Sequence, residues 1–255
     1  MVSIRFSTKR ACMVKAGGKK VLVIADLHMG FETELAKSGI RIPFQTRKLL
    51  REVKHLLEES CAEKIIILGD VKHSISGAEV EEKREIRKFL SALSNECEEI
   101  IITKGNHDGG IEKILRGFEE RVKIFDSRGV LLQNLAFAHG HAWIGERLTK
   151  AKYLFLGHEH PAIEFCDISG KRYIHACWVI AEVKRKKCRE IFGENCKLKK
   201  VIFLPAFNTL LGGNALNTTN FTLLTPNAKF IDLENSEIYL EDGTYLGKLK
   251  NLYVI

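Results

Sequence analysis

Apolar residues along this chain fall into two recurring arrangements. Unbroken runs occupy residues 20–25, 65–68 and 100–103, the pattern of strands covered on both faces of a sheet. Between them, Leu49, Leu50, Val53, Leu56 and Leu57 recur at helical spacing over 46–59, as do Val80, Ile86, Phe89, Leu90 and Leu93 over 79–93. One apolar stripe on each segment predicts an amphipathic crossover helix. Beyond residue 122 the runs shorten, and 122–125, 130–132, 135–138, 153–156, 162–166 and 173–183 read as strands. Turn signals such as Ser127-Arg128-Gly129 and Ser169-Gly170-Lys171 separate several of them. This order predicts an α/β sandwich with two central sheets, the first largely parallel and the second richer in antiparallel pairs. Two further short strands are expected at Ile238-Tyr239-Leu240 and Leu252-Tyr253-Val254. No repeat or low-complexity linker interrupts the pattern, so residues 1–255 are expected to form a single domain.

Residue types that bind metals gather where several of these runs stop. Asp26-Leu27-His28, Gly69-Asp70-Val71-Lys72-His73 and Gly105-Asn106-His107-Asp108 follow the first three runs, and His139-Gly140-His141 and Gly157-His158-Glu159-His160 follow two later ones. A lone Asp-x-His arises by chance, but five such clusters in order point to a two-metal hydrolytic centre. Loops at the carboxyl edge of an open α/β sheet converge on one crevice, which lets distant segments build one site. Alternation along an extended backbone is expected to put Asp26 and His28, and likewise His158 and His160, on the same side. Gly69, Gly105, Gly140 and Gly157 allow turns or close packing beside a crowded ligand set, although ordinary strand ends use glycine too. Imidazole, carboxylate and amide donors without thiolate suit manganese, iron, zinc and similar ions. Two such ions about 4 Å apart activate a shared water and clamp a phosphate, and a bridging carboxylate is what such a pair requires.

Composition adds a partner and removes some alternatives. With 45% hydrophobic and 28% charged residues the chain has an ordinary globular balance. No stretch approaches the roughly 20 apolar residues of a membrane helix, and the start lacks a signal-peptide core, so a cytoplasmic location without membrane contact is expected. The net charge of +8 favours an anionic partner. Eight basic residues between Lys184 and Lys200 stand against Glu190 and Glu194. This predicts a basic β-hairpin-like insertion at about 184–200, with Lys184, Arg185, Lys186, Lys187, Lys199 and Lys200 either contacting nucleic acid or merely blunting an exposed edge. The seven cysteines show no C-x-x-C spacing, which removes zinc knuckles and thioredoxin-like motifs. Cys188 and Cys196 could staple that hairpin, a bridge unusual in a cytosol outside hyperthermophiles.

The series Asp-x-His, Gly-Asp-x-x-His, Gly-Asn-His-Asp, His-Gly-His and Gly-His-x-His resembles the calcineurin-like metallophosphoesterases over about residues 21–161. Within them, Gly-Asp-Val-Lys-His, the chain length and the segment Phe203-Leu204-Pro205-Ala206-Phe207-Asn208 look most like archaeal SbcD-related and bacterial ligase-associated phosphoesterases. The resemblance implies a four-layer αββα sandwich with two mixed sheets flanked by helices. It implies that Asp26, His28 and His160 hold one divalent ion, that Asn106, His139 and His158 hold another, and that Asp70 bridges them. His107 would be the catalytic histidine, with His73, Asp108 and His141 outside the ligand shell. Manganese is the implied ion, with iron, zinc, nickel and magnesium as alternatives. The implied activity is phosphodiester hydrolysis, nuclease-like on DNA or RNA, with a DNA-repair protein as a partner. Two other readings stay open: a phosphoesterase of small nucleotides or cyclic phosphodiesters, and a non-catalytic nucleic-acid-binding or complex-forming subunit. The presence of every expected ligand together with His107 favours catalysis.

Several residues carry weaker expectations. His55 and His175, outside the clusters, are expected to be structural, and Trp143, Trp178 and Phe207 to pack in the core rather than stack on bases. Lys72 and Glu159 are expected to face solvent or substrate. The segment 201–220 is expected either to form a loop beside the site or to serve structural packing.

Overall fold

Why the first runs carry no polar face is evident from the sheets they form. The computed structural model describes residues 3–218 and 221–253. The chain forms, in order, β1 (Ile4–Ser7), β2 (Ala11–Ala16), β3 (Lys19–Ala25), α1 (Phe31–Lys37), α2 (Thr46–Ser60), β4 (Lys64–Leu68), α3 (Val80–Leu93), β5 (Glu99–Thr103), α4 (Ile111–Ile114) and β6 (Val122–Phe125). These six strands lie in the order β1-β2-β3-β4-β5-β6, with β3 to β6 parallel and β1 and β2 antiparallel on one side. Along β3, β4 and β5, Leu22, Ile24, Ile65, Ile67, Ile100 and Ile102 turn toward α2 and α3, whereas Val21, Val23, Ile66 and Ile101 turn toward the second sheet. A strand buried on both faces needs apolar residues at every position, hence the unbroken runs.

The second sheet is built from β7 (Val130–Leu132), β8 (Leu135–Ala138), β9 (Tyr153–Leu156), β10 (Pro161–Cys166), β11 (Arg172–Val183), β12 (Lys200–Phe203), β13 (Asn214–Ala215), β14 (Ile231–Leu240) and β15 (Tyr245–Lys248), with α5 (Arg185–Phe192) between β11 and β12. Its order is β13-β10-β11-β12-β9-β8-β7, and β14 pairs with both β11 and β15. Parallel pairs at β8-β9 and β9-β12 mix with antiparallel ones at β7-β8, β10-β11, β11-β12, β11-β14 and β14-β15. Phe137, Phe155, Trp178 and Ile202 face the first sheet. The opposite face is covered by Ile144, Leu148, Cys188, Leu198, Leu216, Phe230 and Leu249, from α5, short 3₁₀ turns and loops. The four layers expected from the resemblance are thus present, the second outer one made of short pieces.

Three expectations are corrected. The basic segment is not a hairpin tip: β11 and β12 pair antiparallel, but the connection is helix α5, with Cys188 bonded to Cys196. Cys188 and Phe192 stand four apart and turn inward while the lysines and arginines stay outside, a helical spacing rather than a strand's. The last strand falls at Tyr245–Lys248 instead of Leu252-Tyr253-Val254: Leu252 and Tyr253 follow a 3₁₀ turn, and Val254 lies outside the described residues. Segment 201–220 opens with β12 and includes β13, so it is only partly loop; its Asn220 lies outside the described residues. No helix of the described residues is long and apolar enough to cross a membrane.

Candidate metal centre

Register brings the clusters together. Ala25 pairs with Leu68 and Leu68 with Thr103, so β3, β4 and β5 end level and their following residues leave one edge side by side. In the second sheet Ala138, Leu156 and Phe203 are level in the same way. Loops from both sheets therefore meet at one end of the sandwich.

The expected alternation does not operate there. Asp26, His28, Asp70, His158 and His160 all have positive φ, between 39° and 71°, and they make up five of the eight non-glycine residues with that conformation among the described residues. Side chains meet because the backbone kinks left-handed on leaving each strand, not because it stays extended. Each such residue costs about 1–3 kcal/mol, a strain that concentrates at functional sites. Two glycines make room for the acids. A Cβ at Gly157 would lie 2.8 Å from Asp26 Oδ2, and one at Gly105 would collide with Asp70.

Two sets of donor atoms result. Asp26, His28 and His160 bring theirs within 4.8 Å of one another, and so do Asp70, His139 and His158. His160 Nε2 lies 3.4 Å from Asp26 Oδ1. Asp70 Oδ2 stands between the sets, 3.4 Å from His28 Nε2 and 3.3 Å from His139 Nε2. Asn106 Oδ1 is 3.2 Å from that same His139 nitrogen, and His139 Nδ1 is spoken for by the Leu68 carbonyl at 2.8 Å. His141 belongs to neither set, its ring centre 5.2 Å from that of His139.

Buried, closely packed charge shapes the protonation of the cluster. Burial pushes His28 down to about 3 and His158 down to about 4, His139 adding to the effect at His158. Burial also opposes the His139 imidazolium, but Asp70 and Asp26 outweigh it and carry its pKa up to about 9. At Asp70 and Asp26 burial favours the neutral acid, yet the neighbouring imidazoles hold both carboxyls below their usual range. His28 Nε2 is buried and has no hydrogen-bond partner among the described residues. An unpaired imidazole nitrogen beside a buried carboxylate is costly as it stands and fits a divalent cation.

Around these donors lies a frame of buried polar groups. Asp108 accepts from Gly105 N at 2.9 Å and Lys72 N at 3.2 Å, tying two ligand loops together, and burial raises its pKa. Asp70 Oδ1 accepts from His107 N at 2.9 Å, and the His107 ring donates through Nδ1 to the His73 carbonyl, leaving Nε2 free 3.9 Å from Asp70 Oδ2. His73 sits against both: its Nδ1 is 3.1 Å from His28 Nδ1, and the three rings form a third group.

Lys72 and Glu159, expected to face solvent or substrate, are both buried. Lys72 reaches the Ser74 carbonyl. Glu159 accepts from Thr225 N at 2.7 Å and Leu224 N at 3.1 Å, while Thr225 Oγ1 donates to Gly140 O at 2.6 Å and Asn227 Nδ2 to Ala142 O at 2.9 Å. Glu159, Thr225 and Asn227 thereby join the His158-His160 loop to the His139-His141 loop. Asn208, from segment 203–208, donates to Leu27 O at 2.9 Å and holds the Asp26-His28 loop. Sequence signals for Thr225 and Asn227 are absent, since a buried amide or hydroxyl looks like any loop residue until its partners are known.

His55 and His175 lie outside the centre, His55 exposed on α2 and His175 edge-on to Phe165. Trp178 and Phe207 are buried as expected, but Trp143 is 38% exposed, packed against Phe192 with Lys229 Nζ 5.6 Å above its ring. The basic residues also stay outside. Lys187 pairs with Glu190 and Lys200 with Glu182, whereas Lys184, Arg185, Lys186 and Lys199 meet no carboxylate among the described residues.

The sequence model of the calcineurin-like phosphoesterases matches residues 19–161. No curated protein matches the chain. Among solved structures the chain is similar to a Pseudomonas putida nuclease MPE, at TM-score 0.55 and 18% identity over 97% of this chain and 100% of that one. It is also similar to Yfce, a phosphoesterase from E. coli, at TM-score 0.37 and 20% identity over 58% of this chain and 73% of that one. At such identities the first likeness speaks for the fold, and the second adds no argument.

Proposed function

The chain belongs to the calcineurin-like phosphoesterase family, metal-binding hydrolases of phosphoester bonds, and we propose that it is a phosphodiesterase with two metal ions, nuclease-like on DNA or RNA. Asp26, His28 and His160 hold one ion, Asn106, His139 and His158 the other, and Asp70 bridges them, with manganese as the activating ion. The observation that carries this reading is the placement of Asp70 Oδ2 between two donor sets while the buried His28 Nε2 lacks a partner among the described residues. When bound, such a pair polarises the phosphate and makes water nucleophilic at neutral pH.

The side chains have separable tasks. His107, anchored through Nδ1 to the His73 carbonyl, directs Nε2 inward, where it delivers a proton to the leaving oxygen. Asp108 fixes the loops that carry Asp70 and Asn106, His141 lines the wall beside His139 and His158, and His73 orients its neighbours.

Support for a nucleic-acid substrate comes from the cationic surface around α5. Trp143 lies two residues beyond His141 and packs on Phe192 of the cationic helix α5 at 6.1 Å. Lys200, preceded by Lys199, opens β12 level with Tyr153, at the end of the sheet away from the ligand loops, and Lys184 follows Val183 there. With Arg185, Lys186 and Lys187 they form a cationic face that attracts a polyanion long enough to reach from it to the centre. The test is hydrolysis of bis-p-nitrophenyl phosphate and of defined DNA and RNA strands with and without Mn²⁺, comparing wild type with Asp70→Asn and His107→Ala. Metal-stimulated turnover lost in both variants is expected. No turnover by wild type on any phosphoester would refute the reading.

A further inference from the structure

Helix α1 delivers a carboxylate to the edge of the centre that no sequence motif announces. Glu34 Oε2 lies 2.5 Å from His73 Nε2. His73 Nδ1 in turn lies 3.1 Å from Nδ1 of His28, whose other nitrogen, Nε2, is buried without a hydrogen-bond partner among the described residues, 3.4 Å from Asp70 Oδ2. The His73 ring has little freedom to choose another partner. Phe31 packs edge-on at 5.0 Å, and the His73 backbone N is held by Glu82 Oε1 at 2.8 Å.

With both imidazoles neutral, donor and acceptor matching fixes where the protons sit. An ionised carboxylate only accepts, so the nitrogen facing Glu34 must carry a proton. Neutral His73 with its proton on Nε2 has a lone pair on Nδ1, and the Nδ1 of His28 must meet that lone pair with a proton. His28 is left with a lone pair on Nε2, the atom aimed at Asp70. With Glu34 absent, His73 is free to carry its proton on Nδ1, which would force the proton of His28 onto Nε2 and block that atom as a donor.

Resting on the assignment of His28 as a metal donor, we propose that Glu34 is a positioning residue that acts through His73 to hold His28 in the Nδ1–H form, with Nε2 free for a divalent cation. Outer partners of metal-binding imidazoles generally work in this way, and losing one weakens metal binding about 10–100-fold. Glu34 itself never touches the ion or the substrate.

The test uses the full chain stripped of metal, as wild type, Glu34→Ala and Glu34→Gln. Nitrogen-15 NMR reads the imidazole tautomers, calorimetric titration reads Mn²⁺ affinity, and thermal melting of the metal-free forms checks folding. The Glu34 side chain is 62% exposed, so all three should melt alike. Wild type should carry the His28 proton on Nδ1. Glu34→Ala should shift it toward Nε2 and weaken Mn²⁺ binding about tenfold or more, and Glu34→Gln, whose amide oxygen still accepts, should recover most of the loss. An unchanged tautomer and affinity in Glu34→Ala, or a wild-type His28 protonated on Nε2, would overturn the proposal. Wild type that shows the expected tautomers but takes up no Mn²⁺ would instead refute His28 as a metal donor.

Discussion

Replacing Gly157 by alanine tests whether the tight packing around Asp26 is a working part of the site. A Cβ there would lie 2.8 Å from Asp26 Oδ2, 3.0 Å from Ala25 Cβ and 3.0 Å from Leu68 O. Ordinary contact begins at 3.4 Å, so about 0.6 Å must be absorbed at the acid. Ala25 and Leu68 belong to β3 and β4 in the middle of the first sheet and cannot retreat, which leaves the Asp26 carboxylate to move. Overpacking of this kind costs about 1–3 kcal/mol, offset in part by the roughly 0.4–1 kcal/mol that alanine gains by stiffening the unfolded chain. Since a misplacement of about 1 Å can cost about 100-fold in rate, a shift about half as large should lower turnover roughly tenfold. Gly212→Ala is the matched control, because nothing lies within 4 Å of its Cβ and its φ is not positive. Urea unfolding and bis-p-nitrophenyl phosphate hydrolysis at saturating Mn²⁺ measure both variants. Wild-type stability and turnover in Gly157→Ala would refute the packing argument.

Three further outcomes are expected. His107→Ala should lower kcat by about 10²–10⁴ while calorimetry finds Mn²⁺ affinity unchanged, and an equal loss of metal binding would make His107 a ligand instead. The raised pKa of His139, from 6.5 to about 9, gives the metal-free chain stability that is full below pH 6.5 and is lost as pH rises through about 9. Melting temperatures of the metal-free protein should therefore fall across that window, and a flat profile would contradict the close approach of His139 to Asp70 and Asp26. Replacing Lys184, Arg185, Lys186 and Lys187 with alanine should weaken DNA binding and flatten its salt dependence by about 0.9 log units for each duplex phosphate no longer neutralised. Unchanged binding would reduce the cations of α5 to a solvated surface.

The site is more legible in the sequence than the frame that holds it. Unbroken apolar runs locate β3, β4 and β5 to within a residue, because a strand buried on both faces admits little else, and each ligand cluster follows directly from its strand. Strands β1 and β2 leave no such signal: they are short, and polar Arg5, Ser7 and Lys15 sit among their apolar positions. Helix α5 reads as a hairpin because its charge masks the inward spacing of Cys188 and Phe192. The local geometry of the ligands departs from expectation in a more instructive way. Period-two alternation assumes extended backbone, and Asp26, His28, His158 and His160 are left-handed, a conformation that sequence preference disfavours and only the surrounding packing imposes. Glu34, Glu159, Thr225, Asn208 and Asn227 share one difficulty. Their partners lie in other segments, some as far as 181 residues away, so their roles exist only once the chain has folded.

The central claim is that Asp70 joins two metal sites into one hydrolytic centre. Adding Mn²⁺ back to the metal-stripped chain, with bound ion counted and bis-p-nitrophenyl phosphate turnover followed in the same samples, tests it most directly. Two ions per chain are predicted, with full turnover only when both are present and neither result reached in Asp70→Asn. A single ion supporting full turnover, or turnover that does not depend on metal, would contradict it.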